Sequence, residues 1–294
     1  MQQIGILLIN SPGLIAALAG AIGLLVGSFL NVVIYRLPIM MQQSWRNECT
    51  EYLQISPDSR LKSKEEPFNL VFPLSRCPEC SAPIKPHQNI PVISYVFLKG
   101  KCAQCRSPIS LRYPLIEIFT AVTSAIVAWH FGYTPQTVFA LVLTWALIAL
   151  SFIDIDHQLL PDAISVPVLW LGLFLSLFTL FTDSHSSIIG ATAGYIILWI
   201  VYHLFKLATG KEGMGYGDFK LLALLGAWLG WQFLPVIILI SSLVGAVIGI
   251  ALVIFVKRSY HVPIPFGPYL AAAGWIALLW GNSINQLYLS AAGL

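Results

Sequence analysis

The sequence predicts an all-α polytopic membrane protein of about eight transmembrane helices, with a small four-cysteine module between the first and second. Three observations predict it. The 294 residues are 57% hydrophobic and only 10% charged, where a soluble domain carries about a quarter charged residues. Apolar runs recur from end to end. If eight of them cross a bilayer, all sixteen Lys and Arg residues fall on one side.

The runs are read at Leu14–Tyr35, Leu115–Phe131, Val138–Ile153, Ile164–Phe181, Ile188–Phe205, Phe219–Phe233, Leu234–Val256 and Pro268–Trp280. Several are shorter than the roughly 20 residues a helix needs to cross hydrocarbon, which suits a thinned or water-penetrated interior better than a lipid-facing post. The seam between the sixth and seventh falls near Leu234–Pro235. Eleven of the sixteen basic residues lie between Arg36 and Arg112, and the other five are Lys206, Lys211, Lys220, Lys257 and Arg258. Positive charge marks the cytosolic side, so the Arg36–Arg112 loop is expected in the cytosol and both termini outside. The start, "MQQIGILLIN", lacks a basic n-region and reads as no cleaved signal peptide. A net charge of +3 gathered on one face is membrane topology, and no nucleic-acid partner is expected.

Residues 1–35 thus form the first span, 36–112 a cytosolic loop rich in Pro and charge, and 113–294 a seven-helix bundle. Within the loop, Ser56–Asn69 reads as polar and mobile. The loop also holds four of the five cysteines, as "RCPEC" (Cys77, Cys80) and "KCAQC" (Cys102, Cys105), with 21 residues between the pairs. Each C-x2-C pair can chelate one tetrahedral ion, and two pairs complete a closed four-thiolate site of the structural zinc type. Disulfides are the alternative, but a cytosolic loop is kept reduced. Lys99-Gly100-Lys101 reads as a tight turn before the second pair. Cys49 reads as a buried or idle thiol.

Few acids lie at the edges of the spans: Glu117, Asp154, Asp156, Asp162 and Asp218. A carboxylate at membrane depth costs about 2.5–3.5 kcal/mol on insertion scales. Asp154 closes the third span and Asp218 opens the sixth, 64 positions apart in sequence (154 to 218) but at one depth. Asp156 lies about 200° around a helix from Asp154 and reads as solvated. Asp162, after Pro161, reads as a helix cap. Glu117 reads as structural, as an ion-pair partner of Arg112 or a cavity-lining group. In "GMGYGD", Gly213, Gly215 and Gly217 can adopt backbone conformations closed to other residues and allow close approach; a flexible hinge is the plain alternative. Two carboxylates within about 3–5 Å share one proton, and such a pair can activate water against a peptide bond with no covalent intermediate.

These residues resemble a known family. "GYGD" matches the G-x-G-D motif of intramembrane aspartyl proteases. Together with "IDIDHQLLPD", the paired C-x2-C knuckles and "GSFLNVVIYRLP" (Gly27–Pro38), it resembles bacterial prepilin peptidase, the type IV leader peptidase family, over nearly the whole chain and in the family's motif order. The resemblance implies catalytic roles for Asp154 and Asp218. It implies cleavage of a basic leader from prepilins and pseudopilins of type IV pilus or type II secretion systems, at the cytosolic face of the bacterial inner membrane. It further implies N-methylation of the new terminus with S-adenosyl-L-methionine as methyl donor. "IPFGPYLA" (Ile264–Ala271) resembles the family's proline-rich segment, with Pro265 and Gly267 expected, like Gly215 and Gly217, to support backbone or substrate; a simple helix start at Pro268 is the alternative. The methyl-donor site is placed near Asn31 and Arg36, although helix–helix hydrogen bonding serves Asn31 equally well. A proton-coupled transporter using intramembrane Asp residues is the competing class, and a zinc-bearing scaffold a third.

Overall fold

The computed structural model describes residues 11–54, 68–256 and 265–292. The chain's first ten residues, most of the polar Ser56–Asn69 stretch, Lys257, Arg258 and Ile264 lie outside that set. Among the described residues the protein is helical, and its only β pairing is two isolated bridges, Arg76 with Pro83 and Lys101 with Pro108.

Nine helices follow one another: α1 (Pro12–Tyr52), α2 (Ile93–Phe97), α3 (Arg112–Phe131), α4 (Pro135–His157), α5 (Asp162–Ser176), α6 (Ser184–Thr209), α7 (Tyr216–Leu229), α8 (Leu234–Val256) and α9 (Gly267–Ala292). Eight of them, all but the short α2, coincide with the eight apolar runs. Stretches Pro12–Tyr52, Arg112–Phe131, Pro135–His157, Ser184–Thr209 and Trp231–Leu252 are each long and apolar enough to cross a bilayer unaided. Local signals set the ends. Pro135 begins α4, where its missing N–H is not needed. Asp183 caps α6 by accepting from the Ser186 N–H at 3.0 Å, and Gly210 ends it at φ 69°, as a left-handed residue does after a last turn. Gly230, at φ 89°, ends α7, so this helix stops four residues before the expected Phe233 (229 against 233). The seam at Leu234 holds.

The first span overruns its expected end at Tyr35 and continues as helix to Tyr52, with Pro38 inside it. Proline removes one backbone donor, and the following Met, Gln and Arg residues are strong helix formers. Cys49 is exposed on this extension.

The chain divides into two compact units, 1–133 and 134–294. In the first, α1 packs along α3. A Cβ at Gly23 would lie 2.8 Å from Ala121 Cα, and one at Gly27 would lie 2.8 Å from Glu117 Cα. This small-xxx-small spacing brings the two backbones together where no hydrophobic force separates helix from lipid. In the second unit α7 is the centre, packed by α5, α6 and α9. From Asp218 to Leu229 every residue of α7 except Lys220 is buried. Its 14 residues are shielded by neighbours, so it need not match the bilayer's thickness alone. Polar bonds tie the unit together: Trp228 Nε1 donates to Val168 O at 2.8 Å, and Trp275 Nε1 to Thr144 Oγ1 at 3.1 Å.

At the α6–α7 crossing, Gly190 and Gly226 face each other so closely that a Cβ on either would overlap the other's carbonyl. Gly226→Leu should therefore lower stability by about 1–3 kcal/mol, the usual cost of overpacking. At Gly20, where an added Cβ meets only ordinary 3.6 Å contacts, alanine should be tolerated. Thermal unfolding of the two purified variants checks both; equal melting temperatures would contradict the close crossing.

Candidate active site and metal centre

Asp154 sits in the last turn of α4, and Asp218 is the third residue of α7. The two helices run so that the end of one meets the start of the other. Both side chains line one cavity of about 220 Å³, together with Gln158, Leu160, Gly215, Gly217, Pro265 and Phe266. A water takes about 30 Å³, so the space suits a peptide group with a few waters. Each aspartate is 6% exposed. The acids thus gather at one end of the bundle, not at its mid-depth.

Their partners differ. Asp154 Oδ2 accepts the buried Gly267 N–H at 3.0 Å. That bond requires glycine, since a Cβ at position 267 would stand 2.6 Å from Oδ2. Asp218 Oδ1 is buried with no hydrogen-bond partner. A buried polar atom without a partner calls for an explanation, and the residue that carries it lines a cavity shared with a second carboxylate.

Of the two roles the sequence allows the glycines of "GMGYGD", the structure shows close approach and not unusual torsions. None of Gly213, Gly215 and Gly217 has a positive φ; what glycine provides is room. A Cβ at Gly213 would meet the Phe205 ring at 2.8 Å, and one at Gly217 would meet Leu160 Cβ at 2.7 Å. Gly215 is the extended residue before α7 (φ −84°, ψ 155°). It has space for a methyl group, which would lie 4.0 Å from Asp218 Oδ2.

Other acids fall elsewhere. Asp156 is exposed, as its position around the helix implies. Asp162 makes no capping bond; both its oxygens take Lys220 Nζ at 2.7 Å. Glu117 Oε2 accepts the Val92 N–H at 2.7 Å, which gives it a structural part.

Sequence reasoning missed Gln158, Leu160 and Phe266. Gln158 ends α4 in the left-handed region (φ 54°, ψ 42°) with its N–H on Asp154 O. A non-glycine residue there is uncommon, but no sequence signal separates it from an ordinary loop glutamine.

In the first unit, the ligand atoms of Cys77, Cys80, Cys102 and Cys105 all lie within 4.8 Å of one another. No disulfide joins them. Tetrahedral zinc with 2.3 Å bonds needs sulfurs about 3.8 Å apart, and Cys77 Sγ and Cys105 Sγ are 3.8 Å apart. The two knuckles are built alike. Cys77 N–H bonds Ala82 O and Cys102 N–H bonds Ser107 O, both at 2.9 Å. Ser81 and Arg106, each following its second cysteine, turn left-handed at φ 56° and 58°. The N–H groups of Cys80 and Glu79 pull the Cys77 thiol down to about 6. The Ser107 hydroxyl and N–H lower that of Cys105. A thiolate is the ligand form, which these donors favour at Cys77 and Cys105, while at Cys80, against the Ala82 backbone, desolvation and the neighbouring thiols push the thiol up to about 11; four sulfurs leave no open position for water. Lys99 and Gly100, at φ 53° and 67°, form the expected tight turn.

Asn31 and Arg36 spend their polar atoms on backbone. Asn31 Nδ2 donates to Gly27 O and Tyr113 O, both at 3.2 Å, joining α1 to α3. Arg36 is 8% exposed and donates to Asn69 O at 2.9 Å and Pro73 O at 2.6 Å.

A helical membrane bundle with a paired-carboxylate cavity in one unit and a four-thiolate centre in the other defines a membrane-embedded aspartyl peptidase class with a structural metal module. Residues 21–131 match the family described as Bacterial Peptidase A24 N-terminal domain, and residues 141–250 match the Type IV leader peptidase family; the chain belongs to that family. It is 56% identical over 272 residues to a protein of Pseudomonas aeruginosa, covering 92% of each chain. It is 53% identical to relatives from Stutzerimonas stutzeri and Aeromonas hydrophila, covering 98% and 95% of each chain respectively. All three are named prepilin leader peptidase/N-methyltransferase. No solved structure matches the chain significantly.

Metal analysis of the purified protein should find stoichiometric zinc, retained in Asp154→Asn and lost in Cys77→Ser/Cys102→Ser. A wild-type protein free of metal when purified without chelator would refute the four-thiolate centre.

Proposed function

We propose that this chain cleaves leader peptides from type IV prepilins and pseudopilins and N-methylates the terminus it exposes. The observation that carries the first activity is the cavity that Asp154 and Asp218 line together. The aspartate pair holds one proton and one water. Its ionised member takes a proton from the water as the oxygen attacks the scissile carbonyl carbon. The protonated member gives its proton to the carbonyl oxygen. Collapse of the tetrahedral species breaks the C–N bond, the amine leaving with the proton taken from water. Gly267 orients Asp154, while Gly217 and Pro265 shape the wall against which an extended backbone lies.

The membrane-spanning helices place the protein in a lipid bilayer, and the family points to the bacterial inner membrane. We assign the 36–112 loop to the cytosol and the termini outside, on the one-sided Lys and Arg. A substrate with an apolar stem and a basic leader adopts the same orientation and brings its scissile bond to the level of the dyad. Residues 113–294 form the peptidase domain. The four-cysteine module, Cys77, Cys80, Cys102 and Cys105, is associated with methyl transfer, its zinc holding the fold and doing no chemistry. S-adenosyl-L-methionine supplies the methyl group that replaces an amine proton. The transporter reading is not favoured by the family match.

Asp154→Asn and Asp218→Asn should each reduce cleavage of a prepilin peptide by roughly 10²–10⁴-fold or more while methylation of a precut substrate survives; mass spectrometry reads both products. Cleavage intact in either variant would sink the dyad. Chelation should impair methylation more than cleavage, and parallel loss of the two would contradict the division of labour. Gly267→Ala should lower kcat strongly at nearly unchanged melting temperature, whereas Gly215→Ala, with nothing nearer than 3.9 Å to its added carbon, should remain folded and act on KM by narrowing the cavity.

A further inference from the structure

Away from the aspartate cavity, the four-cysteine module contains a helix built inside out. The polar residues of α2 face inward. Ser94 is buried, its hydroxyl donating to His87 O at 2.8 Å and accepting from the Ile90 N–H at 3.1 Å. The Tyr95 hydroxyl donates to Ile109 O at 3.4 Å. The apolar residues face out. Ile93, Val96 and Phe97, spaced i, i+3 and i+4 and hence on one face, are 51%, 66% and 82% exposed. Phe and Val are among the residues a water-soluble module buries, and a clustered apolar face left open marks a surface that something apolar covers.

The start of α2 indicates what covers it. Val92 precedes the helix and donates its N–H to Glu117 Oε2 at 2.7 Å. Glu117 belongs to α3, five residues beyond Arg112, and so about 7.5 Å along a helix that rises 1.5 Å per residue. Helix α3 is apolar and long enough to span a bilayer, and its Leu115, Ile118, Phe119 and Val122 point outward. The hydrogen bond therefore fastens α2 at a level where α3 has already entered the apolar layer. Val92 is held there at φ 58°, a conformation a β-branched residue adopts only under constraint. The module that carries this face is basic: residues 68–112 hold Arg76, Lys85, Lys99, Lys101, Arg106 and Arg112 against the single acid Glu79. An apolar helix face on a Lys- and Arg-rich segment is the composition of a helix lying in the headgroup–acyl boundary.

We propose that the Ile93, Val96 and Phe97 face of α2 is inserted into the bilayer boundary, so that the four-cysteine module is seated on lipid instead of projecting into solvent. The occupant of the face is the acyl layer surrounding α3. The proposal stands apart from the peptidase and methyl-transfer readings and survives the failure of either.

The test replaces Phe97, Val96 or the exposed knuckle residue Gln104, one at a time, with photoreactive p-benzoyl-phenylalanine in the full chain. Each protein is reconstituted in nanodiscs of phosphatidylethanolamine and phosphatidylglycerol, and retained zinc certifies a folded module. After illumination, intact-mass measurement should find lipid adducts at positions 97 and 96, severalfold above those at 104. Adducts from position 97 to residues 134–294 or to a second copy of the chain would overturn the proposal. So would equal labelling at 97 and 104, or no lipid adduct at 97.

Discussion

A carboxylate set among apolar helices must be given partners, and the fold is organised around three that are buried. Each costs about 2.5–3.5 kcal/mol on insertion scales unless its environment compensates. Glu117 receives the Val92 N–H and Asp154 the Gly267 N–H. Asp218 keeps one buried oxygen without a partner. Two of the three, Asp154 and Asp218, line one cavity together. A purely architectural acid has no reason to share a cavity with a second carboxylate, whereas a pair that acts jointly on water or substrate must.

The cavity is recessed because of α7. A helix of 14 residues facing lipid would be mismatched to the bilayer, but this one is enclosed by α5, α6 and α9. Enclosure depends on close approach, which the Gly190–Gly226 crossing permits. It also brings Leu160, from the α4–α5 turn, against Gly217, and the α9 start against Asp154. The same small residues that let helices touch thus set the walls of the cavity, so packing and site geometry cannot be varied independently.

Much of this was legible in the sequence, for identifiable reasons. Backbone polar groups cannot remain unpaired in hydrocarbon, so every apolar run had to be a helix, and the eight runs are eight helices. The C-x2-C pairs announced a metal centre because two-residue spacing has few other uses in a reduced loop. Asp154 and Asp218 stood out because acids at span edges are expensive. What stayed hidden depends on tertiary packing. The first apolar run ends at Tyr35, yet α1 passes on through Pro38 to Tyr52. Asp162 looked like a cap and is instead the partner of Lys220, 58 positions away (162 to 220). Gln158 reaches the cavity only through the left-handed close of α4. Of the two uses read for the glycines of "GMGYGD", close approach applies and torsional freedom does not, since it is the Phe205 ring and Leu160 that exclude a side chain at 213 and 217.

The four-cysteine module shows why the first unit extends through residue 133. Among the described residues of 68–112 only Cys77, Pro91 and Ser94 are buried, far too little apolar surface to offset the ordering of a chain that long. Metal–sulfur bonds supply part of the deficit. The rest comes from the α1–α3 hairpin, through Arg36 on the carbonyls of Asn69 and Pro73 and Glu117 on the N–H of Val92. Both donor and acceptor are side chains of the long helices, and both grip backbone, so their hold does not depend on which side chains the loop presents. A module fastened in this way can expose its apolar residues without collapsing around them, and its outer face is free to be matched to whatever surrounds the helices that carry it.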